Sequence, residues 1–205
     1  MEGELSAGVQ NIEIQVPNHP PTGNPFFFRE QLLSYSCLTT VGIFGITGTI
    51  YKISYNTVDP QGRLVEASGV VGVPPISPAF GLVSVQHGTI IDHADAPSEL
   101  GDSLFKGTEV LPIGFILIMA NYLGFGESTQ FLHPYHHAET LGTSTVDAIR
   151  AGKTLFKILR TSYRDRLFLT GYSEGGFSTL VLQREIELNH PGEFNLVASV
   201  AGSGA

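Results

Sequence analysis

The feature that most constrains this chain is a short apolar run ending in a glycine-flanked serine: Arg166-Leu167-Phe168-Leu169-Thr170-Gly171-Tyr172-Ser173-Glu174-Gly175-Gly176. Leu167, Phe168 and Leu169 have the length and character of a buried strand, and residues 177–189 carry Leu180, Val181, Ile186 and Leu188 as apolar positions of a helix. A strand that turns sharply into a helix sets the residue between them on an apex, where the tight backbone tolerates only small neighbours. Gly171 and Gly175 meet that need. Ser173 Oγ is then expected to stand clear of the sheet, beside the first N–H groups of the following helix, which have no acceptor of their own within it. In a chain with 24 glycines the pentapeptide G-x-S-x-G is a weak signal alone. The strand before and the helix after are what support reading Ser173 as a nucleophile.

Three further segments follow a consistent order. Gln86-His87-Gly88-Thr89 leaves one apolar run, Ala120-Asn121-Tyr122-Leu123-Gly124-Phe125-Gly126 leaves another, and His133-Pro134-Tyr135 precedes a long helical stretch. With the serine motif, these resemble the α/β-hydrolase superfamily, and within it the secretory lipase and bacterial esterase group, from about residue 50 onward. The resemblance implies a mostly parallel central sheet with an antiparallel N-terminal hairpin and helices on both faces. It implies Ser173 as the catalytic nucleophile and the backbone N–H groups of Thr89 and Glu174 as the oxyanion hole, with Gly171, Gly175, His87 and Gly88 in support. Asn121 stands where related lipases usually carry aspartate and some use that position in the oxyanion hole, so it is a further candidate.

The formal charge of −8 and the absence of a Lys/Arg cluster argue against nucleic acid and anionic membrane surfaces as partners, leaving a small-molecule ester or lipid substrate compatible. With 205 residues, 42% of them hydrophobic, one domain with a real core is the default. Cys37 is the single cysteine, so no intrachain disulfide forms. Residues 1–10 show no apolar signal region, and no apolar run reaches the roughly 20 residues of a membrane helix, which favours a soluble chain of unassigned compartment.

In chain order, residues 1–47 read as an N-terminal extension and 48–205 as a partial hydrolase domain. Residues 26–28 are three phenylalanines, and 29–34 could begin a short helix. Residues 48–58 and 63–73 read as a β-hairpin joined by Asp59-Pro60-Gln61-Gly62. Residues 81–86, 114–120 and 194–200 read as strands, and 91–106 as a surface excursion with one short helix. A long helix is expected from about Thr143, with Ser144 or Thr145 capping it and Asp147 near its positive end. His133-Pro134-Tyr135-His136-His137 is too tightly spaced, and too poor in companions, for a metal site; neither metal nor cofactor is expected.

A serine needs a base, and in this superfamily the acid and histidine follow it in sequence. His190 is the one histidine after Ser173, and a continuous helix of about 17 residues would hold it roughly 25 Å away. Glu185, Glu187 and Glu193 serve no better as the acid. The reading is therefore a serine ester hydrolase, truncated after about the sixth strand, whose acid and base lie elsewhere. Alternatives are a non-catalytic binding or assembly protein on the same core, self-associating through an exposed sheet edge, a serine peptidase of the same fold, and His87 acting as base.

Overall fold

Alternating apolar residues in the first half of the chain and short continuous apolar runs in the second produce one sheet with two kinds of pairing. The protein is described here from a computed structural model, which covers residues 11–12, 31–43 and 46–204. Its strands are β1 (Asn11–Ile12), β2 (Leu32–Ile43), β3 (Ile46–Val58), β4 (Leu64–Val73), β5 (Leu82–Gln86), β6 (Ile116–Ala120), β7 (Leu167–Tyr172) and β8 (Leu196–Gly202). They lie in the order β1-β2-β3-β4-β6-β5-β7-β8. Pairing is antiparallel from β1 to β4 and between β4 and β6, then parallel through β6, β5, β7 and β8.

The expected hairpin is β3 and β4. At its turn the Gly62 N–H donates to the Asp59 carbonyl at 2.9 Å, and the Asp59 carboxylate accepts the Gln61 and Arg63 N–H groups, each at 2.9 Å. The N-terminal reading needs correction where it can be compared. Residues 32–34 belong to β2, not to a helix, and β2 pairs with β3 almost end to end, so the sheet crosses the expected boundary at residue 47. Aromatic Tyr35 and β-branched Thr39, Thr40 and Val41 suit a pleated surface better than a helical turn. The expected helix start at 26–30 lies outside the described residues.

Strand residues alternate between two cores, as a period of two requires. Ile116, Ile118 and Ala120 of β6 face one cluster with Tyr55, Val71, Leu167 and Leu169, while Leu117 and Met119 face the other with Ile50 and Val70. The first is covered by two long helices, α2 (Ala138–Leu159) and α3 (Glu174–Asn189). The second is covered by the short helix α1 (Asp102–Gly107) and the turn after it, through Leu104 and Leu111.

Helix α2 starts five residues before the expected Thr143. His137 is its cap, with a ring nitrogen accepting the Thr140 N–H. Thr143, Ser144 and Thr145 are inside the helix, their hydroxyls donating to the carbonyls of Glu139, Thr140 and Leu141. That i−4 bonding satisfies hydroxyls that are buried within the fold, so the Ser/Thr stretch sits inside the helix where its composition suggests a loop. Asp147 lies deep in α2, fully buried, accepting Thr57 Oγ1 at 2.8 Å and pairing with Arg150 at 3.3 Å. Arg150 also reaches Glu193 at 2.6 Å, so it ties α2 to the turn before β8 and does not simply face water.

β8 forms the far edge of the sheet, and Val197 and Val200 on it are 50% and 66% exposed. Ile118, by contrast, lies at 0% exposure in the central strand between the two helices and β4. Replacing Ile118 by Ala removes three methyl or methylene carbons from this packed layer and is expected to cost about 2–5 kcal/mol in urea unfolding. A cost under about 0.5 kcal/mol, the range of surface substitutions, would contradict this placement of the core.

Candidate active site

The site is assembled where the parallel strands end. β7 stops at Tyr172 and α3 begins at Glu174, leaving Ser173 alone between them at φ 59°, ψ −125°. A non-glycine residue at that φ is strained and persists only when its surroundings fix it. Here they do: the Ser173 N–H donates to the Gly202 carbonyl at 2.9 Å, and its own carbonyl accepts the N–H groups of Gly176 and Phe177 at 2.8 and 3.2 Å.

Both flanking glycines are required by contact. A Cβ on Gly175 would sit 2.1 Å from the Gln86 carbonyl oxygen, and one on Gly171 would sit 2.3 Å from the Gly175 carbonyl oxygen. The turn is thus pressed against the end of β5, whose residue Gln86 is in register with Gly171. The loop leaving β5 passes directly over the serine: a Cβ on Gly88 would lie 3.7 Å from Ser173 Cβ.

His87 sits against the backbone of its own loop and of the loop after β6. Its Nδ1 lies 2.8 Å from the Gly88 carbonyl and its Nε2 3.1 Å from the Asn121 carbonyl, and its ring packs on Tyr122 with centroids 4.0 Å apart. Burial holds its pKa below the ordinary histidine value, although both carbonyls pull the other way. Wedged between two backbone carbonyls, it is a strut of the loop. Thr89, two residues on, is exposed, and its Oγ1 meets the Tyr135 hydroxyl at 3.1 Å.

Asn121 is buried, with its side chain fully engaged. Its amide nitrogen donates to Ser68 Oγ at 2.8 Å and Ser98 Oγ at 2.6 Å, and its oxygen accepts the Ser98 N–H at 3.0 Å. These bonds fasten the loop after β6 to β4 and to the turn near residue 98.

Glu174 is buried in full, and its carboxylate meets His133 Nε2 at 2.7 Å. His133 Nδ1 lies 2.7 Å from the Leu123 carbonyl, so both ring nitrogens face acceptors, a geometry that only the doubly protonated ring satisfies. Burial opposes that charge, but the bonds to Glu174 and Leu123 outweigh it and hold the His133 pKa above its ordinary value. The sequence reading singled out His133-Pro134-Tyr135 without finding these contacts. No periodicity links residue 133 to 174 or 135 to 89, and only the packing of the loop does.

His190 caps the far end of the continuous helix α3, where it pairs with Glu185 and Glu193. Among the described residues no cluster of three or more histidine, cysteine or acidic side chains could hold a metal ion. No described helix is long and apolar enough to cross a membrane. Beside the loop after β5 opens a cavity of about 750 Å³, bordered by Thr89, Ile90, Ile91, Val110, Met119 and Tyr172.

No family model matches the sequence, and no curated protein matches it. Solved structures do. A candidate hydrolase from Legionella pneumophila is 33% identical, with a TM-score of 0.78 over 84% of this chain and 52% of its own. The rice cell wall degrading esterase LipA from Xanthomonas oryzae is 29% identical, with a TM-score of 0.76 over 86% of this chain and 50% of its own. Candida antarctica lipase A, in its closed state, is 20% identical with a TM-score of 0.58 over 92% of this chain and 46% of its own, a likeness of fold alone. The chain therefore spans about half the length of the structures it matches.

Two outcomes test this geometry. Gly175→Ala places a carbon 2.1 Å from the Gln86 oxygen, so it is expected to lower the thermal midpoint by several degrees, on the order of 1–3 kcal/mol of strain; an unchanged midpoint would contradict the close approach. For His133, a folded pKa above the unfolded value means that its contribution is complete below about pH 6.5 and is lost as pH rises through the folded pKa. Urea midpoints of the wild type should therefore fall relative to His133→Gln as pH rises from 6 to 9. Parallel curves would show that the His133–Glu174 pair carries no charge.

Proposed function

We propose that the chain, which has the α/β-hydrolase fold of the structures it matches, carries the nucleophile and the oxyanion hole of a serine hydrolase acting on carboxylic esters. Ser173 Oγ attacks the acyl carbon, and the resulting oxyanion is held by the backbone N–H groups of Thr89 and Glu174. The alcohol leaves, and water then releases the acid from the acyl-enzyme. The observation that carries this reading is the strained apex at Ser173, φ 59°, beside the Gly88 loop, where an added Cβ on Gly88 would lie 3.7 Å from Ser173 Cβ. Two donors fixed before reaction stabilise charge where it develops, each typically worth about 3–4 kcal/mol of barrier. The ester class follows the named activity of one of the similar structures, the esterase LipA. Asn121 is left out of the oxyanion hole, since its side chain is spent on Ser68 and Ser98.

The base and its acid partner come from polypeptide outside these 205 residues. His190 is too remote, at the other end of α3, and His87 has both nitrogens on carbonyl oxygens. The edge strand β8, with Val197 and Val200 half exposed or more, is where further polypeptide can extend the sheet. Offered alone, that edge supports a second behaviour, self-association of the chain.

A fluorophosphonate probe, which leaves a tetrahedral adduct on an activated serine, is expected to modify Ser173 of the natural protein bearing this sequence and to leave Ser173→Ala unmodified, read by peptide mass spectrometry. In the natural protein bearing this sequence, Ser173→Ala is expected to lower hydrolysis of short p-nitrophenyl esters by roughly 10⁴-fold or more. Modification elsewhere, or turnover that survives the substitution, would remove the proposal. For the edge, Val200→Lys is expected to reduce the apparent mass of the isolated chain in light scattering. An unchanged mass distribution would rule out association through β8.

A further inference from the structure

The two residues assigned to the oxyanion hole have side chains that are both held by one short segment. His133 meets the Glu174 carboxylate at 2.7 Å, and Tyr135, two residues on, meets Thr89 Oγ1 at 3.1 Å. Thr89 and Glu174 lie on different elements, the loop after β5 and the first residue of α3. No described hydrogen bond joins them directly. Their separation is thus bridged by residues 133–135.

We propose that His133 and Tyr135 are positioning residues: the segment His133-Pro134-Tyr135 is a brace that fixes the spacing between the Thr89 and Glu174 backbone N–H groups. The inference rests on the oxyanion-hole reading given above. It does not make either side chain touch the reacting atoms.

The segment is built stiffly enough to act so. The Tyr135 N–H donates to the His133 carbonyl at 2.9 Å, and the His137 N–H to the Pro134 carbonyl at 3.0 Å, closing successive tight turns. Proline between the two bracing residues fixes its own φ and removes a degree of freedom. The Tyr135 ring stacks on His136, with centroids 4.1 Å apart, and His136 stacks on Phe177 at 4.6 Å, which seats the segment on the first turns of α3. On its other side His133 packs over Tyr122 and Phe125, and Gly124 comes so close that a Cβ there would lie 2.6 Å from His133 Cα. The brace is therefore anchored to α3, to the loop after β6 and to the loop after β5 together.

The geometry also separates the two arms. Tyr135 is 51% exposed and holds Thr89 through hydroxyls alone, whereas the His133 arm is buried against a carboxylate. Tyr135→Phe deletes one oxygen and leaves the ring stack in place, so the fold should survive it. A displacement of about 1 Å in a positioned group can lower a rate as much as 100-fold.

The test uses the natural protein bearing this sequence, which supplies the base that activates Ser173. Two quantities are read: the rate at which the fluorophosphonate probe modifies Ser173, since its phosphoryl oxygen occupies the oxyanion position, and ¹⁵N order parameters of the backbone. Tyr135→Phe is expected to lower the modification rate roughly tenfold, with an unchanged thermal midpoint. The Thr89 amide order parameter should drop from the rigid range near 0.85 toward 0.6 while Glu174 stays rigid. His133→Ala should slow the reaction and loosen the start of α3, and His133→Gln, which restores one donor toward Glu174, should recover part of the rate. Unchanged order parameters at Thr89 in Tyr135→Phe and at Glu174 in His133→Ala would overturn the brace, whether or not the probe reacts. Failure of the probe to modify Ser173 in the wild type would instead count against the oxyanion-hole reading itself.

Discussion

The structure around Ser173 depends on one close approach, the contact of the turn after β7 with the end of β5. The Gly175 Cα comes so near Gln86 that no side-chain carbon fits between them. Once the backbones touch there, the strained φ of Ser173 is compelled, because its N–H and carbonyl are already committed to Gly202 and to the first turn of α3. Holding a non-glycine residue in such a conformation costs on the order of 1–3 kcal/mol, which the surrounding packing must supply.

That contact follows from the sheet's register. β5 and β7 run parallel with Gln86 beside Gly171, and β7 and β8 run parallel with Tyr172 beside Gly202. Three strand ends therefore converge on the serine, and the loops leaving them are brought together without any residue needing to reach far. The two cores on either side, alternating along β6, hold those strands flat against α2 and α3 on one face and α1 on the other. Packing in the sheet and chemistry at its edge are in this sense one arrangement.

The sequence made the elbow legible because its physics is local. Glycines at 171 and 175, an apolar run before and a helical pattern after all lie within one stretch, and the hairpin turn at Asp59 to Gly62 is local too. What it concealed is long-range or misleading in composition. β2 was hidden because a stretch of aromatic and polar residues gives no clean period, and only its pairing with β3 makes it a strand. The start of α2 was hidden because its Thr and Ser side chains bond to their own helix. Asp147 read as an acid near a helix start, yet it lies deep in α2 with Thr57, ninety residues earlier, as a partner. The same holds for His133 with Glu174 and Tyr135 with Thr89, contacts that no spacing announces. Leu180 and Leu188 fit an apolar helix pattern but are 54% and 65% exposed.

The most direct measurement is a crystal structure of the natural protein bearing this sequence with a phosphonate on Ser173. The account predicts a covalent bond to Ser173 Oγ with the phosphoryl oxygen about 2.7–3.1 Å from both the Thr89 and the Glu174 backbone nitrogens. An adduct whose oxygen points to solvent, or to the Asn121 side chain, with those two nitrogens unoccupied would contradict it.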